Sequence, residues 1–109
     1  MTLNQSIFIV DDDDAVRRAL TGIGSLLDYP VKPFASADEF LTYYTPDQAG
    51  CLVLDVKMPI MTGLELQRLL SDRGVSIPII MISGHADVRV AVESMKLGAM
   101  TLLEKTIQP

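Results

Sequence analysis

Cations are scarce in this 109-residue chain: nine Lys and Arg stand against fourteen Asp and Glu, a net charge of −5. A nucleic-acid surface needs clustered Lys and Arg to neutralise phosphates, so direct binding of DNA or RNA is not expected. One cysteine, Cys51, cannot form an internal disulfide. One histidine, His85, is by itself neither a metal site nor a catalytic dyad. No apolar run approaches the roughly 20 residues that span a bilayer, and the start lacks the basic-then-apolar pattern of a secretory signal. These absences point to a reducing, cytoplasmic setting away from membranes. Repeats, linkers and low-complexity segments are missing too. What remains, 49% apolar and 21% charged residues, is the balance of one globular domain, long enough to bury roughly two thirds of its unfolded surface.

Short apolar runs of strand length alternate with segments whose apolar residues recur at helical spacing. The strand candidates are Ser6 to Val10, Val31 to Phe34, Cys51 to Leu54, Ile77 to Ile82 and Met100 to Leu103. Between them, shared helical faces are formed by Val16, Leu20, Ile23 and Leu27; by Phe40, Tyr43 and Tyr44; by Leu66, Leu69 and Leu70; and by Val88, Val92 and Met95. Ser36 and Glu39 have capping-box spacing, and Gly74 and Gly98 stand where the third and fourth helices should stop. Four helices following four strands imply an α/β fold, a doubly wound parallel sheet of five strands joined by right-handed crossovers. Ile77 to Ile82 reads as a central strand, whereas Pro33 marks Val31 to Phe34 as an edge strand.

Four consecutive carboxylates, Asp11 to Asp14, follow the first apolar run, and Asp55 ends the third. In a parallel sheet both sites fall at the carboxyl edge, where such folds bind ligands. Two unit charges about 4 Å apart repel by roughly 4 kcal/mol at an effective dielectric near 20, so the cluster requires a counter-charge. A hard divalent cation is predicted, with Lys105 as a fixed positive charge. Asp13 and Asp14 also fit the start of the first helix, where its dipole favours carboxylates.

The segments IFIVDDDDAVRRAL, LVLDVKMPIMTGLEL, PIIMISGHADVRVAVESMKLGA and LLEK together resemble the receiver domain of two-component response regulators, over nearly the whole chain. The wording is most similar to receivers of the nitrogen-fixation and LuxR-like transcription regulators. The resemblance implies a flavodoxin-like fold with strand order 2-1-3-4-5 and a phosphorylation-controlled switch. It implies Asp55 as phosphoacceptor, a sensor histidine kinase as partner, and Mg²⁺ held by Asp11, Asp12, Asp55 and the Lys57 main-chain carbonyl. Ser83 and Lys105 would bind the phosphoryl group, the loop after the fourth strand being drawn toward it. Lys57 and His85, two residues beyond Asp55 and Ser83, would modulate phosphate lifetime. Transfer and later loss of the phosphoryl group would be self-catalysed, so the domain is expected not to be an enzyme acting on a separate substrate. Kinase recognition would lie on the first helix, around Arg17, Arg18 and Leu20.

The chain departs from the family pattern at its end. Thr106 follows Lys105 where the family has proline, often in a cis bond, which costs roughly 2.5 to 4 kcal/mol at a non-proline residue. Leu102 stands at the aromatic switch position and becomes the readout candidate. The fifth helix should begin near Thr106, yet the sequence given stops at Pro109. The expectation is one receiver domain, residues 1–109, shortened at its C-terminus and carrying no output domain. Self-association or exchange of elements through the uncovered face follows from that expectation. Two alternatives are a pseudo-receiver that signals without phosphate and a haloacid-dehalogenase-like phosphatase, in which Asp12 of DxDxV would be the nucleophile and Asp14 the acid and base. A flavin-binding relative of the fold is excluded, because the first loop is acidic where a flavin phosphate needs donors.

Overall fold

The structure is a computed structural model that describes residues 5–84 and 88–105. Its elements run β1 (Gln5–Val10), α1 (Asp14–Leu26), β2 (Val31–Phe34), α2 (Ala37–Tyr43), β3 (Ala49–Asp55), α3 (Gly63–Asp72), β4 (Ile79–Ser83), α4 (Val88–Lys96) and β5 (Thr101–Glu104). All strand pairs are parallel, in the order β2-β1-β3-β4-β5. The expected alternation, strand order and edge position of β2 are therefore present. Strand limits differ slightly: β4 starts after Pro78, and β5 runs one residue later than its apolar run.

Alternation along the strands divides the core between two faces. Phe8, Val10, Leu52, Leu54 and Met81 point to one face, packing with Ala37 and Phe40 of α2 and Leu66 and Leu70 of α3. Phe40 is fully buried and meets Phe8 edge-on at 5.8 Å between ring centroids and Tyr44 in a stack at 5.0 Å. The opposite face carries Ile7 and Ile9 beneath α1, whose Val16 is buried. Farther from α1 that face is only partly covered: Cys51, Val53 and Ile80 are half-buried, and Leu103 is 52% exposed. Ile23 and Leu27, expected to line the inner face of α1, are exposed for the same reason.

The expected face of α4 also needs correction. Val88, Val92 and Met95 share a face, but it points to solvent. The inward row is Val90, Ala91, Ser94 and Leu97, with Ser94 completely buried against α3. Buried Gln67 donates through Nε2 to the Ser94 main-chain carbonyl at 2.9 Å; the small Ser94 lies where the helices meet, and the larger apolar residues face outward.

Helix limits follow local chemistry. Ser36 accepts from the Glu39 amide, but the Glu39 carboxylate returns to the Ala35 amide, so the expected box is only half formed. The complete box is at α3, where Thr62 Oγ1 accepts from the Glu65 amide and Glu65 Oε1 accepts from the Thr62 amide. Gly74 and Gly98 have φ of +72° and +101°, as helix stops require. In MPIMTG, Gly63 reads as a loop glycine that tolerates a backbone other residues resist, but its φ is not positive. Its need for glycine is close approach: a Cβ there would sit 2.0 Å from the Asp55 carbonyl oxygen. The left-handed backbone in that loop belongs to Ile60, at φ +72° and 96% exposed.

On propensity alone, Gly63→Ala should stabilise α3. The clash with Asp55 reverses the sign, and thermal melting should show a loss of about 1–3 kcal/mol; an unchanged or raised Tm would contradict the packing described.

Candidate functional site

Parallel register assembles the site. Val10 pairs with Leu54, so Asp11 and Asp55 leave adjacent strands side by side. Asp55 pairs with Ile82 and Ser83 with Glu104, which brings Ser83 and Lys105 to the same carboxyl edge. The Lys105 amide donates to the Ser83 carbonyl at 2.7 Å, tying the end of β5 to β4. Asp11, Asp55 and Ser83 are buried, and Asp12 is exposed at the rim.

Lys105 reaches across β4 to both buried carboxylates, with Nζ 2.9 Å from Asp11 Oδ2 and 3.2 Å from Asp55 Oδ1. Burial works to lower the pKa of this ammonium, but pairing with Asp11 and then Asp55 outweighs it and leaves the pKa raised. Asp55 is pushed up to about 6, first by desolvation and second by the charge of Asp11; Lys105 and the Lys57 amide oppose the shift. The Lys57 amide approaches Asp55 Oδ1 at 3.4 Å, while its side chain is exposed.

One carboxylate oxygen each from Asp11, Asp12 and Asp55 lie within 4.8 Å of one another. That spacing is slightly more than twice the Mg–O distance of about 2.1 Å, and hard oxygen donors are what Mg²⁺ takes. The donor set therefore fits the expected cation.

The other expected residues divide clearly. Asp13 caps α1, its Oδ1 accepting from the Ala15 amide at 2.9 Å, and Asp14 pairs with Arg17 and Arg18 in the first turn. Asp14 is thus engaged on the helix surface and is not one of the grouped carboxylates Asp11, Asp12 and Asp55. Leu102 is half-buried and packs on the core beside Met81, three residues before Lys105. His85 and the Lys105–Thr106 bond lie outside the described residues. Sequence reasoning missed the inward turn of Arg17, whose Nη1 donates to the Asp11 carbonyl at 2.7 Å; a contact between loop backbone and a helix six residues on has no signature in apolar periodicity.

Residues 7–109 match the family model described as the response regulator receiver domain. The response regulator protein TmoT of Ectopseudomonas mendocina is 48% identical over 99 residues, covering 91% of this chain and 45% of TmoT. The transcriptional regulatory protein FixJ of Rhizobium meliloti (strain 1021) is 42% identical over 103 residues, covering 94% and 50%. A crystal structure of FixJ-N superposes with a TM-score of 0.84 at 43% identity, covering 95% of this chain and 83% of that one. The chain spans about half the length of the curated relatives it matches.

Because the pKa of Asp55 in the folded state lies above its unfolded value, the native state holds this proton more tightly. Stability should therefore fall as pH rises from about 4 through about 6. In metal-free buffer, Asp55→Asn should be more stable than the parent at pH 8, by up to about 3 kcal/mol, with the gain shrinking at pH 5. Thermal melts at the two pH values check this; an equal difference at both would contradict the raised pKa.

Proposed function

The chain belongs to the response regulator receiver family, and on that footing we propose that it is a phosphoacceptor switch in which Asp55 takes a phosphoryl group from a sensor histidine kinase. The observation carrying this reading is a buried carboxylate at the end of β3, in ion-pair reach of Lys105 and grouped with Asp11 and Asp12. An Asp55 oxygen attacks phosphorus as the N–P bond of the donor's phosphohistidine breaks, and the imidazole leaves with the electron pair. Asp11, Asp12, Asp55 and the Lys57 carbonyl are the proposed holders of Mg²⁺. When bound, the cation screens repulsion between carboxylate and phosphoryl oxygens.

Lys105 then pairs with the new anionic oxygens, and the Ser83 hydroxyl donates to them. Drawing Ser83 inward shifts the start of the loop after β4 and repacks Leu102. The exposed apolar residues of α4, Val88, Val92 and Met95, support an output surface on that helix. Water later hydrolyses the acyl phosphate, with Lys57 and His85 controlling its access. Transfer and hydrolysis take place on the domain's own side chain, so it is not an enzyme with a separate substrate. By kinship with FixJ, the output is transcriptional and the setting cytoplasmic; with a charge of −5 the receiver itself makes no contact with nucleic acid. Partly covered apolar residues on the α1 face support self-association or exchange of elements through that face.

Intact mass after incubation with acetyl phosphate should show a Mg²⁺-dependent gain of one phosphoryl group that is absent in Asp55→Ala. No gain in the parent would favour a phosphate-independent interaction module. Following the adduct over time, Lys57→Ala and His85→Ala should change its lifetime while leaving the Tm unaltered; equal lifetimes in all three proteins would remove these residues from the reading. Light scattering at high concentration should give a mass above that of one chain, and a monomer would exclude self-association.

A further inference from the structure

Two consecutive arginines on α1 have different fates. Arg18 is 76% exposed at its side chain and pairs with Asp14 at 3.2 Å. Arg17, a helical step of about 100° away, is 19% exposed and turns back toward the loop it follows. Its guanidinium spans that loop: Nη1 donates to the Asp11 carbonyl at 2.7 Å, and Nη2 contacts Asp14 Oδ1 at 3.2 Å.

The Asp11 carbonyl needs this donor. The Asp11 amide makes a bond to the Phe34 carbonyl at 3.1 Å, after which β1 leaves the sheet. A buried carbonyl at such an exit must find a partner elsewhere. The Asp11 side chain is held as well, with Oδ1 accepting from the Asp13 amide at 2.8 Å and Oδ2 paired with Lys105. Asp12 thus sits between two residues, Asp11 and Asp14, that one rigid fork ties together. Its own carboxylate is left facing the oxygens of Asp11 and Asp55.

We propose that Arg17 is a positioning residue for the cation site, fixing the backbone of the acidic loop so that the Asp12 carboxylate is presented beside Asp11 and Asp55. The inference rests on the phosphoacceptor reading, because it assumes that those carboxylates take Mg²⁺. It gives Arg17 a task other than kinase recognition, since the guanidinium is spent on its own loop. Lysine cannot replace it, because a single ammonium lacks the planar fork that reaches two acceptors in fixed geometry.

Charge and geometry predict opposite signs, which makes the proposal testable. Removing a cation near a Mg²⁺ site should by electrostatics alone tighten binding, whereas loosening the loop should weaken it. The experiment is calorimetric titration of MgCl₂ into the parent, Arg17→Lys and Arg17→Gln, with thermal melts to establish that each is folded at the titration temperature. Both variants should bind Mg²⁺ about 10-fold more weakly, the lower end of what loss of an outer-shell partner costs. An unchanged Kd in Arg17→Lys, or tighter binding by Arg17→Gln, would overturn the positioning role while leaving the function intact. A lowered Tm with unchanged Kd would reduce Arg17 to a purely structural contact and likewise overturn it. A parent that binds no Mg²⁺ would overturn the phosphoacceptor reading, and this inference with it.

Discussion

One ammonium between two buried carboxylates governs the carboxyl edge of this sheet. Asp11 and Asp55 emerge from adjacent strands, and without a cation their charges would oppose the register that brings them together. Lys105 resolves the conflict from the far side of β4, within 3.2 Å of both. Its reach depends on β5 being parallel to β4 and on the Lys105 amide being fixed to Ser83. The interaction is more a condition of the architecture than a net gain in stability, since desolvating three charges offsets much of their attraction. The raised pKa of Asp55 reports the remaining imbalance.

That imbalance is confined to a part of the fold otherwise closely specified. The β3–α3 connection is held by the capping box of Thr62 and Glu65 and by the contact of Gly63 with the Asp55 main chain. The β1–α1 connection is held by Asp13 and Arg17. These contacts on both sides hold the carboxylates close despite their repulsion, a preorganisation that an unanchored edge would lack. Strain is tolerated here as well: Ile60 holds a left-handed backbone that a β-branched residue adopts only at a cost.

Much of this was legible in the residues. The β/α alternation, the edge strand with Pro33 and the carboxylates behind apolar runs follow from periodicity and from strand polarity. The four-segment resemblance pointed to Ser83 and Lys105, which the structure places at the same carboxyl edge. Where the reading failed, it failed on packing. Val88, Val92 and Met95 obey helical spacing as well as the true inner row does, and their greater apolarity points the wrong way, since the close approach to α3 is made by the small Ser94, whose carbonyl accepts from Gln67. Ile23 and Leu27 look like core until the extent of the opposite sheet face is known. Gly63 reads as a turn glycine, although its constraint is a carbonyl from another element.

By itself, then, the sequence determined which residues form strands and helices and which carboxylates gather at one edge, because periodicity and the direction of a parallel strand are local properties of the chain. Only the tertiary structure decided which apolar rows face inward, that Lys105 bridges Asp11 and Asp55, and that Arg17 binds loop backbone instead of solvent. Those outcomes depend on distances between elements far apart in sequence, and no local pattern encodes them.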